Sequence, residues 1–209
     1  FSNAKETSEG TYEGLFDGVF DGSSFFHTAW GAAAYGNVTE PHYLQLDLTK
    51  PVQTLILKYA VRSNAGTPDV PYNVTVYGTN NADLLSHATA EVDTVLVPTS
   101  AGWDSLLNLN FTYDYQILNE DSAAVRISMS STSPVMKGAG IAKIEMPAAY
   151  QYVRLSVNTN VQQEKSQNYT ARKFNGYTFW NLSELRAYEG QYDPDCVYAH
   201  MDEGARTDL

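Results

Sequence analysis

Alternation of apolar and polar residues at every second position is the pattern that most constrains this chain, and it recurs along most of its length. Helical periodicity is nearly absent. Turn-forming pairs such as Asp17-Gly18 and Asn175-Gly176 stand between the alternating runs. Many short strands with one apolar face and no intervening helices predict an all-β protein, an antiparallel β-sandwich. The alternating runs cover residues 43–48, 55–62, 73–77, 107–111, 125–129, 153–157 and 184–188.

Composition supports a folded domain and argues against some classes of binding partner. The 209 residues are 43% hydrophobic and include 15 Tyr, 8 Phe and 3 Trp, enough for a core. The net charge of −11 argues against nucleic acid and anionic membranes, which are bound through basic surfaces. No apolar run is long enough for membrane insertion. The single cysteine, Cys196, allows no internal disulfide.

Three regions are expected along the chain. Residues 1–10 are interpreted as a cloning scar followed by a lead-in, so that any secretion signal would have been removed. Residues 11–190 hold the β-sandwich. Residues 191–209 contain five acidic residues without a strand pattern, which indicates an acidic linker or the start of a following module.

Three sets of motifs, taken in order, carry a family resemblance. The first runs from LFDG to SFFHTAW over residues 15–30; the second joins PHYLQLDL (41–48) to YNVTVYGTN (72–80); the third joins YQYVRL (150–155) to FWNLSELRAY (179–188). Together they resemble the discoidin family, also called coagulation factor V/VIII type C domains, and the family 32 carbohydrate-binding modules that share its galactose-binding-like fold. The FFHTAW and FWNLSE forms look most like those of secreted or surface proteins of gut Bacteroidetes.

The resemblance implies a jelly-roll β-sandwich with a long middle insertion. It covers residues 11–84 and 148–190, and residues 85–147 are longer than the usual middle of the family. Within this region, residues 82–100 are expected to form an extra hairpin or loop.

The opening loop is a candidate calcium site. Its two carboxylates and two hydroxyls lie on a tight, glycine-bearing turn, and hard oxygen ligands suit Ca²⁺. The resemblance implies a structural calcium held by Asp17, Asp21, Ser24 and Glu184, which would pin the first and last strands together. The alternative is that Asp17 and Asp21 only cap turns.

A second constellation is a candidate sugar site. An aromatic ring stacks on the apolar face of a sugar, and polar side chains pair with its hydroxyls. The resemblance implies a ligand site formed by His27, Trp30, Arg62 and Asn64, with a further aromatic residue from a later loop. Tyr177 is the chosen candidate for that residue, ahead of Tyr169 and Phe174. The alternative is that His27 only bonds the loop backbone and that Trp30 belongs to the core.

No metal-ligand spacing or catalytic motif stands out, and His42 is expected to be exposed at a strand edge. The leading hypothesis is therefore a non-catalytic carbohydrate-binding module of a larger secreted or surface protein. It would bind terminal sugars of a glycan or surface glycoprotein weakly, outside the cell or in the periplasm, and would be monomeric as an excised domain. The alternative is a protein-interaction or adhesion domain of discoidin type.

Overall fold

A large antiparallel sheet forms the centre of the molecule. The computed structural model describes residues 1–18, 24–31, 38–62, 69–88, 94–113 and 139–190. Its strands are β1 (Phe26–His27), β2 (Tyr43–Ala60), β3 (Pro71–Thr79), β4 (His87–Ala88), β5 (Thr94–Val95), β6 (Asp104–Asn110), β7 (Ala139–Asn160), β8 (Lys173–Phe174), β9 (Tyr177–Thr178), β10 (Asn181–Leu182) and β11 (Glu184–Glu189), with one α-helix in this part, α1 (Val161–Ser166). Five strands pair in the order β11-β2-β7-β3-β6, all antiparallel.

Two layers enclose the main core, and the predicted all-β, antiparallel sandwich is confirmed. Val153, Leu155 and Val157 of β7 face inward, since they alternate with residues on the opposite face. The opposing layer includes the short β1–β10 pair, whose Phe26 and Leu182 belong to the same buried cluster. The predicted run 43–48 and residues 55–60 of the next run are parts of one long strand, β2, which is interrupted by bulges between Asp47 and Thr54. The predicted run 125–129 lies outside the described residues.

The first residues of the chain are packed into this sandwich. Ser2 and Asn3 are 1% exposed, and Ser2 forms a bridge with Leu44 of β2. The Asn3 side chain accepts a hydrogen bond from Tyr43 N–H (2.9 Å) and donates one to the Pro41 carbonyl (3.2 Å). The expected lead-in therefore adds an extended segment beside β2. Residues 191–209, with Cys196, lie outside the described residues.

The described part of residues 81–103, which we call the covering segment, lies against the outer face of the sheet around Arg154. It contains the β4–β5 hairpin within the region where an extra hairpin or loop is expected. Beneath it lies Arg154 of β7, which is fully buried. The Arg154 guanidinium carbon is 4.2 Å from the Tyr43 ring centroid and 4.1 Å from that of Trp103. Its nitrogens donate to Gln45 Oε1, Ser86 Oγ, Thr99 Oγ1 and the Leu84 carbonyl. One buried cation thus fastens the covering segment to the sheet, together with Gln45 and Tyr43, which form hydrogen bonds with Ser86.

The helical content is small. None of the described helices has the length and apolar character needed to span a bilayer.

Candidate functional site

The candidate sugar site lies at one end of the sandwich, where the chain enters and leaves short strands. His27 belongs to β1 and pairs with Asn181 of β10. Arg62 lies two residues after the end of β2. The N-terminal segment runs alongside, because Glu6 N–H donates to the His27 carbonyl at 2.9 Å. Residues from three separate parts of the sequence therefore meet here.

Glu9 joins two of the predicted ligand residues. Its carboxylate accepts a hydrogen bond from Arg62 Nη2 at 3.1 Å, and its other oxygen lies 3.9 Å from His27 Nε2. The Arg62 guanidinium also stacks on Phe25, with its central carbon 3.5 Å from the ring centroid. A cation held by a carboxylate on one side and an aromatic ring on another is fixed in direction. Arg62 is therefore preorganised as a hydrogen-bond donor.

His27 is neutral in this arrangement, and its tautomer follows from its contacts. Its ring Nδ1 lies 2.5 Å from the Thr28 carbonyl, which can only accept, so Nδ1 carries the proton. Burial lowers the pKa of His27, and Arg62 lowers it too, while the Thr28 hydrogen bond and the Glu9 charge oppose them. Nε2 is left as an acceptor beside the Glu9 carboxylate. The His27 ring is almost fully buried, with 5% of its side chain exposed, so the accessible polar groups of this cluster are the Glu9 carboxylate (30% exposed) and the Arg62 guanidinium (18%).

Trp30 is exposed at the same end. Half of its side chain is open to solvent, so the alternative that Trp30 is a core residue is wrong. Its backbone N–H donates to Glu6 Oε2 at 3.3 Å. Burial raises the pKa of Glu6, but hydrogen bonds from Ser8 and from the backbone of Trp30 and Thr7 lower it by more, so the net pKa is lowered. The anionic Glu6 fixes the backbone from which the indole projects.

Tyr177 packs against a small cluster of Ala4, Ala29 and Val38, in which Ala29 is the residue before Trp30. Its hydroxyl donates to the Thr39 carbonyl at 2.6 Å. Tyr177 is partly exposed. Asn64, the last predicted sugar ligand, lies outside the described residues.

His42 is not an exposed strand-edge residue, and that expectation is wrong. Its side chain is fully buried, with the Tyr177 ring centroid 6.5 Å away. Its carbonyl accepts from the Trp180 indole, which holds this stretch inside the sandwich. Neither ring nitrogen has a partner among the described residues. Burial lowers the pKa of His42 to about 4, so the ring is neutral at neutral pH.

At the candidate calcium site, the start of the opening loop meets the start of β11. Gly18 N–H donates to Glu184 Oε2 at 2.9 Å, and Arg186 Nε donates to Glu184 Oε1, also at 2.9 Å. Glu184 is fully buried, and burial raises its pKa, while Arg186 and Gly18 oppose that shift and the nearby Asp17 charge adds to it. The sequence therefore places the loop and the final strand correctly next to each other.

The described residues fit a bound cation only in part. Each Glu184 oxygen already accepts one hydrogen bond, and Arg186 supplies a positive charge beside it. The described residues contain no group of three His, Cys, Asp or Glu side chains that could hold a metal. Asp21 lies outside the described residues, whereas Ser24 is described and partly exposed.

Glu9 and Glu6 are the site residues that sequence reasoning missed. Glu9 lies 53 residues from Arg62, in a segment without any strand pattern. No periodicity or motif in the sequence marks it. Its role depends on the N-terminal segment folding back over β1.

Comparison with known proteins gives likenesses of structure alone. No family model matches the chain, and no curated protein does. A family 32 module, from a family 31 glycoside hydrolase of Clostridium perfringens, is 14% identical and has a TM-score of 0.49; the alignment covers 91% of this chain and 88% of that one. The family 32 module of C. perfringens NanJ in complex with galactose is 11% identical, with coverages of 90% and 91% and a TM-score of 0.46.

A third solved structure comes from Bacteroides fragilis. It is the C-terminal domain of a chitobiase, 12% identical, with coverages of 92% and 93% and a TM-score of 0.46. At these identities and scores the likenesses assign no role to any residue of this chain.

Proposed function

We propose that this chain is a non-catalytic carbohydrate-binding module of a larger secreted or surface protein, and that it holds a terminal sugar of a glycan at the His27 end of the sandwich. One observation supports the proposal: half-exposed Trp30 stands three residues after His27, and Glu6 hydrogen-bonds to the backbone of both, while the His27 ring lies in a polar group with Arg62 and Glu9. The indole offers a stacking surface for the apolar face of a sugar. The polar group offers Arg62 as a donor and the Glu9 carboxylate as an acceptor for its hydroxyls.

The binding is weak for a single site. Shallow sugar sites give free energies of about −4 to −6 kcal/mol, which correspond to dissociation constants from millimolar to tens of micromolar. Tethering to a parent protein that carries other binding or catalytic parts would raise retention on a glycan surface.

A glycan microarray followed by titration of the best ligand tests the proposal. We expect Trp30→Ala and Arg62→Gln each to weaken binding at least about tenfold, or about 1.4 kcal/mol. Tyr188→Ala is the matched control, since Tyr188 is an exposed aromatic residue (45%) on β11 outside this site. We expect it to leave the affinity within about twofold, well under 1 kcal/mol.

Two outcomes contradict the proposal. One is an array on which no glycan is bound; the other is binding that is equal in the wild type and in both site variants. Binding to a glycoprotein that survives complete deglycosylation would favour the protein-interaction alternative.

The structural calcium is a further part of the proposal. It is supported by the proximity of Asp17 and Gly18 to Glu184. Asp17, Glu184 and Ser24 would contribute oxygen ligands together with Asp21, and the ion would fasten the opening loop to β11.

A further inference from the structure

A second polar surface lies on the outer face of the central sheet, beside the covering segment. We call it the amide ladder. Its members come from three neighbouring strands, with side chains that are exposed or partly exposed: Asn73 and Thr75 of β3, Asn108 and Asn110 of β6, and Asn158 of β7.

Hydrogen bonds between the side chains connect the ladder residues across the three strands, from β7 through β3 to β6. Asn158 Nδ2 donates to Asn73 Oδ1 and to Thr75 Oγ1, both at 2.8 Å. Asn73 Nδ2 donates to Asn110 Oδ1 at 2.9 Å, and Thr75 Oγ1 donates to Asn108 Oδ1 at 2.5 Å. Each amide is therefore held in a defined orientation before any ligand arrives.

The ladder leaves its outer hydrogen-bonding groups unused. Among the described residues, nothing donates to the Asn158 amide oxygen and nothing accepts from the Asn108 amide nitrogen. An asparagine amide has two donor hydrogens and two acceptor lone pairs, so several of these directions remain open to solvent. An ordered row of donors and acceptors faces outward.

Strand stability alone does not account for this choice of residues. Asparagine is depleted in strands, whereas threonine is one of the preferred residues. Four of the five ladder positions nevertheless hold asparagine. Their side chains are exposed or partly exposed, so packing in the core does not require this residue. Positions that depart from a local preference without a packing reason point to function.

A tyrosine adjoins the ladder at Asn110. Asn110 Nδ2 donates to the Tyr72 hydroxyl at 3.4 Å, and Tyr72 is partly exposed. An aromatic ring thus lies next to the polar row.

We propose that the amide ladder is a second binding surface, and that its ligand is an uncharged polyhydroxylated chain lying across β7, β3 and β6. The five ladder residues carry no formal charge, which disfavours a charged polymer as occupant. Three strands spaced about 4.8 Å apart give a row of about 10 Å, long enough for more than one sugar ring. Fixed amides match hydroxyls, which also donate and accept at the same atom.

This second surface is independent of the His27 end in its residues, although it rests on the proposed affinity for carbohydrates. Native affinity electrophoresis separates the two. Gels would contain a neutral galactan, a neutral β-glucan or, as the charged comparison, polygalacturonate. The protein would carry Trp30→Ala, so that the first site is disabled in every lane.

We expect at least one neutral polymer to retard the Trp30→Ala protein and polygalacturonate to leave its migration unchanged. Adding Asn108→Thr and Asn158→Thr should weaken the retardation at least fivefold. Asn108→Thr should not lower the melting temperature, because threonine favours strands. Ser105→Thr, at an exposed β6 position outside the ladder, is the matched control and should leave the retardation unchanged.

The results distinguish the two proposals. Absence of retardation by both neutral polymers, or retardation that survives loss of both ladder asparagines, overturns the ladder while a positive microarray still supports the first site. Retardation that depends on the ladder, together with a microarray that detects no terminal sugar, supports the ladder and contradicts the first site.

Discussion

Arg154 holds a positive charge at a position that solvent does not reach. The groups that accept its hydrogen bonds are neutral: a glutamine amide, two hydroxyls and a backbone carbonyl. Stacking between Tyr43 and Trp103 adds attraction to the two ring faces. One side chain therefore links the sheet to three separate parts of the covering segment.

Replacing Arg154 by methionine should be strongly destabilising. The substitution keeps an unbranched side chain but removes the hydrogen bonds of the guanidinium to four acceptor atoms, and hydrogen bonds to a charged group contribute about 1.5–3 kcal/mol each. We expect the free energy of unfolding to fall by at least about 3 kcal/mol in urea titrations. Lys143→Met removes a surface ion pair with Glu145 and should cost less than about 1 kcal/mol. Equal effects of the two substitutions would contradict the assigned role of Arg154.

At the scale of the elements, β11 is attached to the rest of the sandwich on two sides. It pairs with β2 along six residues, and its first residue, Glu184, binds the backbone of Gly18 in the opening loop. Arg186 completes this junction from the same strand. A bound cation would strengthen a connection that hydrogen bonds already make.

Calcium should therefore raise the thermal stability of the domain. If the folded state alone binds the ion, a free concentration of 100 times the dissociation constant adds about 2.7 kcal/mol. We expect the melting temperature to fall after exhaustive chelation and to recover with Ca²⁺. The Asp17→Asn variant should show a smaller recovery. A melting temperature that is identical with chelator and with Ca²⁺ would contradict the calcium proposal.

At the scale of the whole molecule, two buried groups have opposite effects on how stability changes with pH. Burial raises the pKa of Asp69 to about 6, against the attraction of Arg172 and Arg62. Between its ordinary value of 3.8 and about 6, the folded state binds more protons than the unfolded state, so stability falls as pH rises. Burial lowers the pKa of His42 from 6.5 to about 4, and between these values stability rises with pH.

Single substitutions should reveal each contribution. The difference in free energy of unfolding between Asp69→Asn and the wild type should be more favourable to the variant at pH 7.5 than at pH 4, by up to about 3 kcal/mol. His42→Phe should show the opposite trend, with a larger relative gain near pH 4.5 than at pH 7.5. Urea titrations across this range measure both differences. A variant whose difference from the wild type does not change with pH would contradict the burial assigned to that residue.

Local patterns in the sequence predict the strands well because apolar alternation is a property of neighbouring residues. Leu55 and Leu57 of β2 and Val153 and Leu155 of β7 are buried, in accord with the alternation. The junction of the opening loop with Glu184 follows from the family resemblance. The fusion of two runs into one strand was not predictable, because Thr49 (φ 64°) and the neighbouring bulges interrupt the alternation.

The polar contacts of the site are less accessible to sequence reasoning. Glu9 reaches His27 and Arg62 only because residues 1–10 pack against β1 and β2, and that segment has no strand pattern. His42 is buried by neighbours that are distant in sequence, such as Tyr177. Such contacts depend on the tertiary fold, and no spacing of residue types encodes them.

The fastening of the covering segment has a consequence for how the chain acquires its structure. Leu84 and Ser86 are about 70 residues before Arg154 in sequence, and Gln45 is 109 residues before it. During synthesis the amino-terminal part emerges first, so these acceptors have no bond to Arg154 until β7 has left the ribosome. Contacts of such sequence separation form slowly. We therefore expect Tyr43 and Trp103 to stay exposed in the nascent chain during that interval, when chaperones can bind them.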